Sequence, residues 1–155
     1  MIKKLAALAL MMLAGMQSVP LPAQVREEGR RFMEEAGGNA TVFRSRHPDR
    51  YNFQYEGTYF WQEEELRPGG IMLDGKWFEG MLLNIDAYEQ EVVAAPDGTR
   101  PAVLVRRDRV DWLTIGDDKY VNLNKKGYAD VPAGFYRVEY EDGYTVYRRV
   151  EKRMA

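Results

Sequence analysis

The chain has 155 residues, 45% of them hydrophobic, with no cysteine and a formal net charge of −2. This length favours a single domain. The missing cysteines exclude disulfides, thiolate metal sites, a cysteine nucleophile and a lipoprotein anchor. The mildly acidic balance argues against a nucleic-acid-binding protein, which needs a basic face.

The first 23 residues have the pattern of a signal peptide. Lys3 and Lys4 form a basic start, the segment 5–16 is apolar, and Ala23 is the predicted cleavage position. The apolar run is shorter than the roughly 20 residues that span a bilayer, which favours a signal peptide over a membrane anchor. The pattern predicts an exported protein, periplasmic or extracellular, with no transmembrane helix after processing.

The remaining chain divides into an N-terminal segment, 24–39, and a single β domain, 40–155. The segment 25–36 predicts a short helix with Val25, Phe32 and Met33 roughly on one face, and a flexible arm is the alternative. Gly29 weakens such a helix by about 1 kcal/mol relative to alanine. A short strand is predicted for 40–44, and alternating aromatic residues predict another within 51–61.

The centre of the predicted sheet is the segment 70–95. Asp74-Gly75 lies between two apolar runs, and this dipeptide is typical of a type I′ hairpin turn. Alternation around Met81, Leu83 and Ile85 predicts a half-buried strand. Further strands are predicted at 92–94, 102–105, 110–115 and 120–123.

A second hairpin is predicted at the C-terminus, where the segments 135–140 and 144–150 flank Asp142-Gly143. A two-residue loop would pair Tyr140 with Thr145 and Val138 with Tyr147. The face carrying these rings is expected to be buried, with the opposite face exposed to water. The whole pattern indicates an all-β fold of eight to ten strands, an antiparallel meander forming a curled sheet or a partly closed barrel.

The order of three short motifs resembles that of small exported β-rich proteins of Bacteroidetes-type bacteria. The motifs are Leu-Asp-Gly-Lys at 73–76, Leu-Asn-Ile-Asp at 83–86 and Gly-Phe-Tyr at 134–136. The resemblance covers residues 55–152 and implies export and β architecture. It implies no activity, cofactor or site residue.

Catalytic and metal-binding residue patterns are weak throughout the chain. His47 is the only histidine, and a surface role is expected because it has no companion ligands nearby. A triad with Ser18 or Ser45 is rejected: Ser18 leaves with the signal peptide, and Ser45 has no nucleophile-elbow pattern around it. Asn39 begins a glycosylation triplet of the kind that often arises by chance.

Acidic residues offer a second kind of chemistry. A pair of carboxylates can catalyse glycoside hydrolysis. The candidates for such a pair are Glu63 to Glu65, Asp74, Glu79 and Asp86. Asp117-Asp118 is read as a plain turn, because the loop lacks the alternating oxygen ligands of a calcium site.

Aromatic side chains are the remaining signal, either as a binding face or, as we expect, as core. These side chains are Tyr55, Tyr59, Phe60, Trp61, Trp77, Phe78 and Trp112. The sequence therefore predicts a non-catalytic envelope module that binds a protein partner, without a cofactor or metal. The alternatives are a carrier of an apolar ligand inside the curled sheet and, less favoured, a carbohydrate-active enzyme.

Overall fold

The computed structural model describes residues 23–36, 40–43, 47–48, 51, 56–96 and 98–153. They form one α-helix, two 3₁₀ turns and eight strands, which confirms the all-β class and the short N-terminal helix. The helix α1 spans Ala23–Ala36, and the 3₁₀ turns span Thr41–Phe43 and Arg107–Arg109. The strands are β1 Arg67–Leu73, β2 Lys76–Asp86, β3 Glu91–Ala95, β4 Val103–Val105, β5 Val110–Ile115, β6 Asp118–Asn122, β7 Phe135–Asp142 and β8 Tyr144–Val150.

All eight strands belong to one antiparallel sheet with the order β4-β3-β2-β1-β5-β6-β7-β8. Two local meanders therefore meet where β1 pairs with β5. In a flat sheet β4 and β5 would lie about 19 Å apart, since neighbouring strands are about 4.8 Å apart. Only residues 106–109 join them, and most of this link is a compact 3₁₀ turn. The sheet must therefore curl, and it remains open.

The first predicted hairpin is confirmed in its turn type. Leu73 pairs with Lys76, and Asp74 and Gly75 both have positive φ, at 49° and 76°. These values belong to a type I′ turn. Farther from the turn Gly80, with φ 77°, is the extra residue where the register of β1 and β2 shifts, so a bulge interrupts the long strand β2.

The second hairpin is confirmed at its base, and the predicted pairing at its tip is wrong. Val138 faces Tyr147 as predicted, but Tyr140 faces Val146 instead of Thr145. The register shifts between Val138 and Tyr140, so Glu139 is the bulged residue. The strands then meet at a loop of Gly143 alone, with φ 67°. Tyr140 is exposed rather than buried, because the tip extends beyond the core.

The strand predicted at 40–44 is wrong within the described residues. Residues 41–43 form a 3₁₀ turn, closed by the Phe43 amide donating to the Ala40 carbonyl at 2.9 Å. Of the segment 51–61, the positions 52–55 lie outside the described residues. Among the described positions of this segment, Phe60 forms a bridge with Asp86. Two main-chain hydrogen bonds flank that bridge, from the Trp61 N–H to the Ile85 carbonyl and from the Ala87 N–H to the Tyr59 carbonyl, both at 2.9 Å.

The curled sheet encloses a core that is filled with side chains. The largest fully buried ones are Tyr120, Phe135, Ile71, Met81, Leu83 and Ile85. All six belong to the same apolar cluster, which also includes Val103 and Val105 of β4. A smaller cluster around Val121, Leu123 and Tyr136 lies apart from it. The strand predicted at 102–105 is covered on both faces, as expected, because Leu104 is buried too.

A single glutamine joins the turn after β2 to the far end of the sheet. Gln90 is buried, with φ 60°. Its amide nitrogen donates to the carbonyls of Ala87 and Val150, both at 2.7 Å, and its amide oxygen accepts the Phe135 N–H at 3.0 Å. The Lys152 N–H also donates to the Ala87 carbonyl, at 2.9 Å. These bonds join the β2–β3 turn to the start of β7 and the end of β8.

Helix α1 packs against β2 through its one glycine. Gly29 and Met33 are the buried residues of the helix. A Cβ atom at position 29 would lie only 2.8 Å from the Trp77 carbonyl oxygen. β3 pairs with residues 82–86 of β2 and not with residues 76–81, which leaves that edge of the strand free for the helix. The helix-weakening glycine of the sequence is thus the point of closest contact. No helix among the described residues has the length and apolar character needed to cross a membrane.

Candidate functional site

A cleft of about 490 Å³ lies between α1 and the β1–β2 hairpin. We call it the helix–hairpin cleft. Its lining residues are Val25, Glu28, Gly29, Phe32, Leu73, Asp74, Gly75, Lys76, Trp77, Phe78 and Arg109. This volume and this mixture of apolar walls with a few charged groups are typical of binding sites.

The helix contributes two incompletely covered apolar side chains to the cleft. Phe32 is 45% exposed and Val25 is 36% exposed, and both are among the larger exposed hydrophobic residues. The Phe32 ring meets the buried Phe78 ring edge-on, with centroids 5.8 Å apart. This contact covers one side of the Phe32 ring and leaves the rest exposed to solvent.

The opposite wall is the Asp74-Gly75 turn, which ionic contacts hold rigidly. The Asp74 carboxylate accepts hydrogen bonds from Arg109 Nε at 2.9 Å and Lys125 Nζ at 3.3 Å. The Gly75 N–H donates to Asp111 Oδ2 at 3.0 Å. Partial burial would raise the pKa of Asp74, but the two cations outweigh it, and the pKa is lowered. The turn predicted from the dipeptide alone is therefore also held by side chains of other segments.

Two charged groups of the cleft have no oppositely charged partner among the described residues. Lys76, on the hairpin wall, forms no ion pair, and Glu28, on the helix wall, accepts only from the Gln24 amide at 3.3 Å. Both residues are exposed. The two walls therefore present unpaired charges of opposite sign.

His47 lies away from the cleft, in a surface position. It is exposed, and its Nδ1 lies 3.3 Å from the Ala102 carbonyl oxygen. Ser18, Ser45 and Asn39 lie outside the described residues. In the part of the chain that the structure describes, no group of three histidine, aspartate or glutamate side chains is arranged to hold a metal.

Of the candidate carboxylates, only Asp74 lines the helix–hairpin cleft, and Asp74, Glu79 and Asp86 have local hydrogen-bond partners. Asp74 holds its turn, and Glu79 accepts from the Trp77 indole at 3.3 Å. The segment 63–65 offers main-chain carbonyls to the Asn84 amide. Asp118, of the pair read as a turn, binds Arg137 at 2.7 Å.

Asp86 is buried at the far end of β2 and caps the next turn. Its Oδ1 accepts from the main-chain amides of Tyr88 at 3.0 Å and Glu89 at 2.9 Å, and its other oxygen accepts from the Tyr51 hydroxyl. Burial raises the pKa of the Tyr51 phenol, and the Asp86 carboxylate raises it further. The arrangement stabilises a turn and leaves no oxygen of Asp86 directed at a cleft.

The predicted aromatic residues do not form one face. Tyr59 and Phe60 pack on each other before β1, Trp61 and Phe78 join the main core, and Tyr55 lies outside the described residues. Trp77 and Trp112 stack with centroids 4.6 Å apart. The two tryptophans meet across β1, where each pairs with Met72. The rings thus serve three separate packing sites.

Sequence reasoning missed the residues of the helix–hairpin cleft as a group. The nearest signal was the helix periodicity, which placed Val25 and Phe32 beside Met33; only Met33 is buried. Arg109 came from a charged run with no special pattern. Its place in the cleft depends on the curl that brings the β4–β5 link next to the hairpin turn.

Comparison of the chain with protein-family models, with curated proteins and with solved structures finds no match.

Proposed function

We propose that this protein is a non-catalytic exported module that binds a protein partner through the helix–hairpin cleft. The observation that carries the proposal is the open, largely apolar cleft of about 490 Å³ with Phe32 half-exposed at its wall. Binding energy in protein interfaces concentrates in a few anchors that fill such pockets. The partner inserts one aliphatic or aromatic side chain between Phe32 and the hairpin.

The unpaired charges of the cleft predict which charged residues the partner carries beside its anchor. An acidic residue on one side of the anchor meets Lys76, and a basic residue on the other side meets Glu28. Asp74 takes no part, because Arg109 and Lys125 already neutralise it. Opposite charges on the two walls allow one chain direction and disfavour the reverse.

Two further observations support the non-catalytic and exported parts of the proposal. Asp74, Glu79 and Asp86 are engaged in local hydrogen bonds, and His47 lies within 3.3 Å of a main-chain carbonyl oxygen at the surface. The N-terminal sequence has the basic and apolar order of a signal peptide. Cleavage at the predicted position would remove only the first residue of α1.

Photo-crosslinking in the native host tests the proposal. A photoreactive amino acid replaces Val25 in the cleft wall, and Tyr144, 68% exposed on the distant hairpin tip, is the control position. We expect one adduct of defined mass from position 25 and none of that mass from position 144. Absence of an adduct at position 25, or the same adduct from both positions, refutes the proposal.

Charge reversal then tests the partner's chemistry. Lys76→Glu and Glu28→Lys each remove one complementary charge, and we expect each to weaken the position-25 adduct several-fold. Lys126→Glu, which lies outside the cleft lining, is the matched control and should leave the adduct unchanged. An adduct that persists undiminished in both reversed variants would keep the cleft as the site and exclude the charge pattern.

A small apolar ligand in the same cleft is the second candidate function. The cleft volume falls in the range that takes such ligands. The sheet interior, by contrast, is occupied by buried side chains, which does not favour a carrier that encloses its ligand there. Native mass spectrometry of protein purified from its host distinguishes the two, because a carrier retains a small adduct that Phe32→Ala loses.

A further inference from the structure

The sequence has three aspartate–glycine pairs, and in the part of the chain that the structure describes two of them lie in tight turns, Asp74-Gly75 and Asp142-Gly143. Such pairs can rearrange without an enzyme. The glycine nitrogen attacks the aspartate side-chain carboxyl, the N–H proton and the carboxyl hydroxyl leave as one water, and a succinimide ring forms. Water then opens the ring at either carbonyl, giving aspartate or isoaspartate, in which the main chain runs through the former side-chain carbon. Glycine permits the attack because it has no side chain to shield its nitrogen.

Asp74-Gly75 is held against this reaction at both reacting groups. The Gly75 N–H donates to Asp111 Oδ2 at 3.0 Å, so its nitrogen is not free to turn toward the carboxyl. The Asp74 carboxylate is bound by Arg109 and Lys125. Both cations favour the ionised carboxylate, which cannot release a hydroxyl. The lowered pKa of Asp74 acts in the same direction.

Asp142-Gly143 lacks both restraints. Asp142 and Gly143 are exposed at the tip of the β7–β8 hairpin. The one polar side-chain contact found for Asp142 is a long one, from the Tyr140 hydroxyl at 3.4 Å. Within the described residues no side chain accepts a hydrogen bond from the Gly143 N–H, and no ion pair holds the Asp142 carboxylate.

We propose that Asp142 is a site of spontaneous isoaspartate formation in the folded protein, and that the ion cluster around the β1–β2 turn protects Asp74 from the same reaction. The modified tip gains one main-chain carbon where Asp142 faces Tyr144. The change therefore displaces the exposed Tyr140 and Tyr144 rings, whose centroids lie 5.2 Å apart. The buried base of the hairpin, Phe135 and Val150, is unaffected.

Ageing of the folded full chain at neutral pH tests the proposal. Peptide mapping by electron-transfer fragmentation separates isoaspartate from aspartate at each position, and protein aged in denaturant is the reference. We expect isoaspartate at Asp142 to accumulate at least about tenfold faster than at Asp74 in the folded chain, since attack at Asp74 first breaks a charged hydrogen bond. In denaturant the two rates should converge.

Two variants sharpen the result. Asp142→Glu cannot form the five-membered ring, and its tip peptide should stay unmodified. Asp111→Ala frees the Gly75 N–H, and its Asp74 rate in the folded state should rise toward that of the denatured chain. Equal rates at Asp74 and Asp142 in folded wild-type protein, or a faster rate at Asp74, overturn the proposal. An Asp111→Ala variant that remains folded and as protected as the wild type overturns the role given to the Gly75–Asp111 hydrogen bond.

Discussion

Replacing Gly29 by alanine sets helix propensity directly against tertiary packing. Alanine is favoured over glycine inside a helix by about 1 kcal/mol, so propensity alone predicts a more stable protein. The structure predicts the reverse. The new Cβ atom would lie 2.8 Å from the Trp77 carbonyl oxygen and 3.3 Å from Trp77 Cδ1, whereas ordinary contact begins at 3.4 Å.

The close neighbour is a main-chain oxygen of β2, which cannot rotate away as the end of a side chain can. The helix must therefore move outward, which partly uncovers Met33 and weakens the ring contact between Phe32 and Phe78. Overpacking of this kind costs about 1–3 kcal/mol. Against the propensity gain of about 1 kcal/mol, we expect a net loss of up to about 2 kcal/mol in the free energy of unfolding, or roughly 4 °C in Tm per kcal/mol.

Chemical denaturation followed by tryptophan fluorescence measures this loss, and a thermal melt by circular dichroism checks it. Gly98→Ala is the matched control, because no atom lies within 4 Å of its added Cβ and its φ is not in the left-handed region. That control should leave stability unchanged or raise it by about 0.4–1 kcal/mol. A Gly29→Ala protein that is more stable than the wild type by the full propensity gain of about 1 kcal/mol would refute the packing argument.

Three further predictions concern buried or paired groups. Gln90→Ala removes the buried side-chain partner of three main-chain groups. We expect it to lower the free energy of unfolding by about 2–4 kcal/mol, measured by urea denaturation. A decrease of less than about 1 kcal/mol would contradict the role given to this side chain. The pKa of Asp74 is lowered in the folded state, so its ionised carboxylate stabilises the fold above the unfolded pKa near 3.8. This stabilisation is lost as pH falls through the folded pKa, and the stability difference between wild type and Asp74→Asn should therefore shrink in acid. A stability difference that does not vary with pH would contradict this role of Asp74. Burial raises the pKa of Tyr120 to about 12, and burial together with the Asp86 carboxylate raises the pKa of Tyr51. The stability that these two phenols contribute is therefore full below about pH 10 and falls as pH rises through their folded pKa values. Tyr120→Phe and Tyr51→Phe should each remove a late step from the absorbance titration of the phenols, and an unchanged titration would contradict the raised pKa of the residue replaced.

The parts of the fold that sequence predicted are those set by neighbouring residues. Asp74-Gly75 requires positive φ at both positions, and this local need produced the correct turn. The bulge at Glu139 carries no such mark, because any residue tolerates it, and the register of the second tip was therefore missed. The order of strands also escaped prediction, since the pairing of β1 with β5 joins segments far apart in the chain.

The candidate site was the least predictable part. Phe32 and Lys76 lie in separate elements, and their shared cleft exists because Gly29 lets α1 approach β2. Sequence reasoning counted Gly29 only as a weak point of the helix. Contacts between a glycine and a distant carbonyl leave no periodic pattern to detect.

The four-residue link between β4 and β5 has a consequence for how the protein tolerates change. Residues 106–109 are charged and lie at the surface, the usual profile of a loop that accepts insertions. Here the short reach of the link fixes the curvature of the whole sheet. Extra residues at this position would lengthen the link and allow β4 and β3 to move away from Val110 and Leu113 of β5. The most loop-like sequence in the domain is thus among its least extendable, whereas the tip at Gly143 has no such constraint.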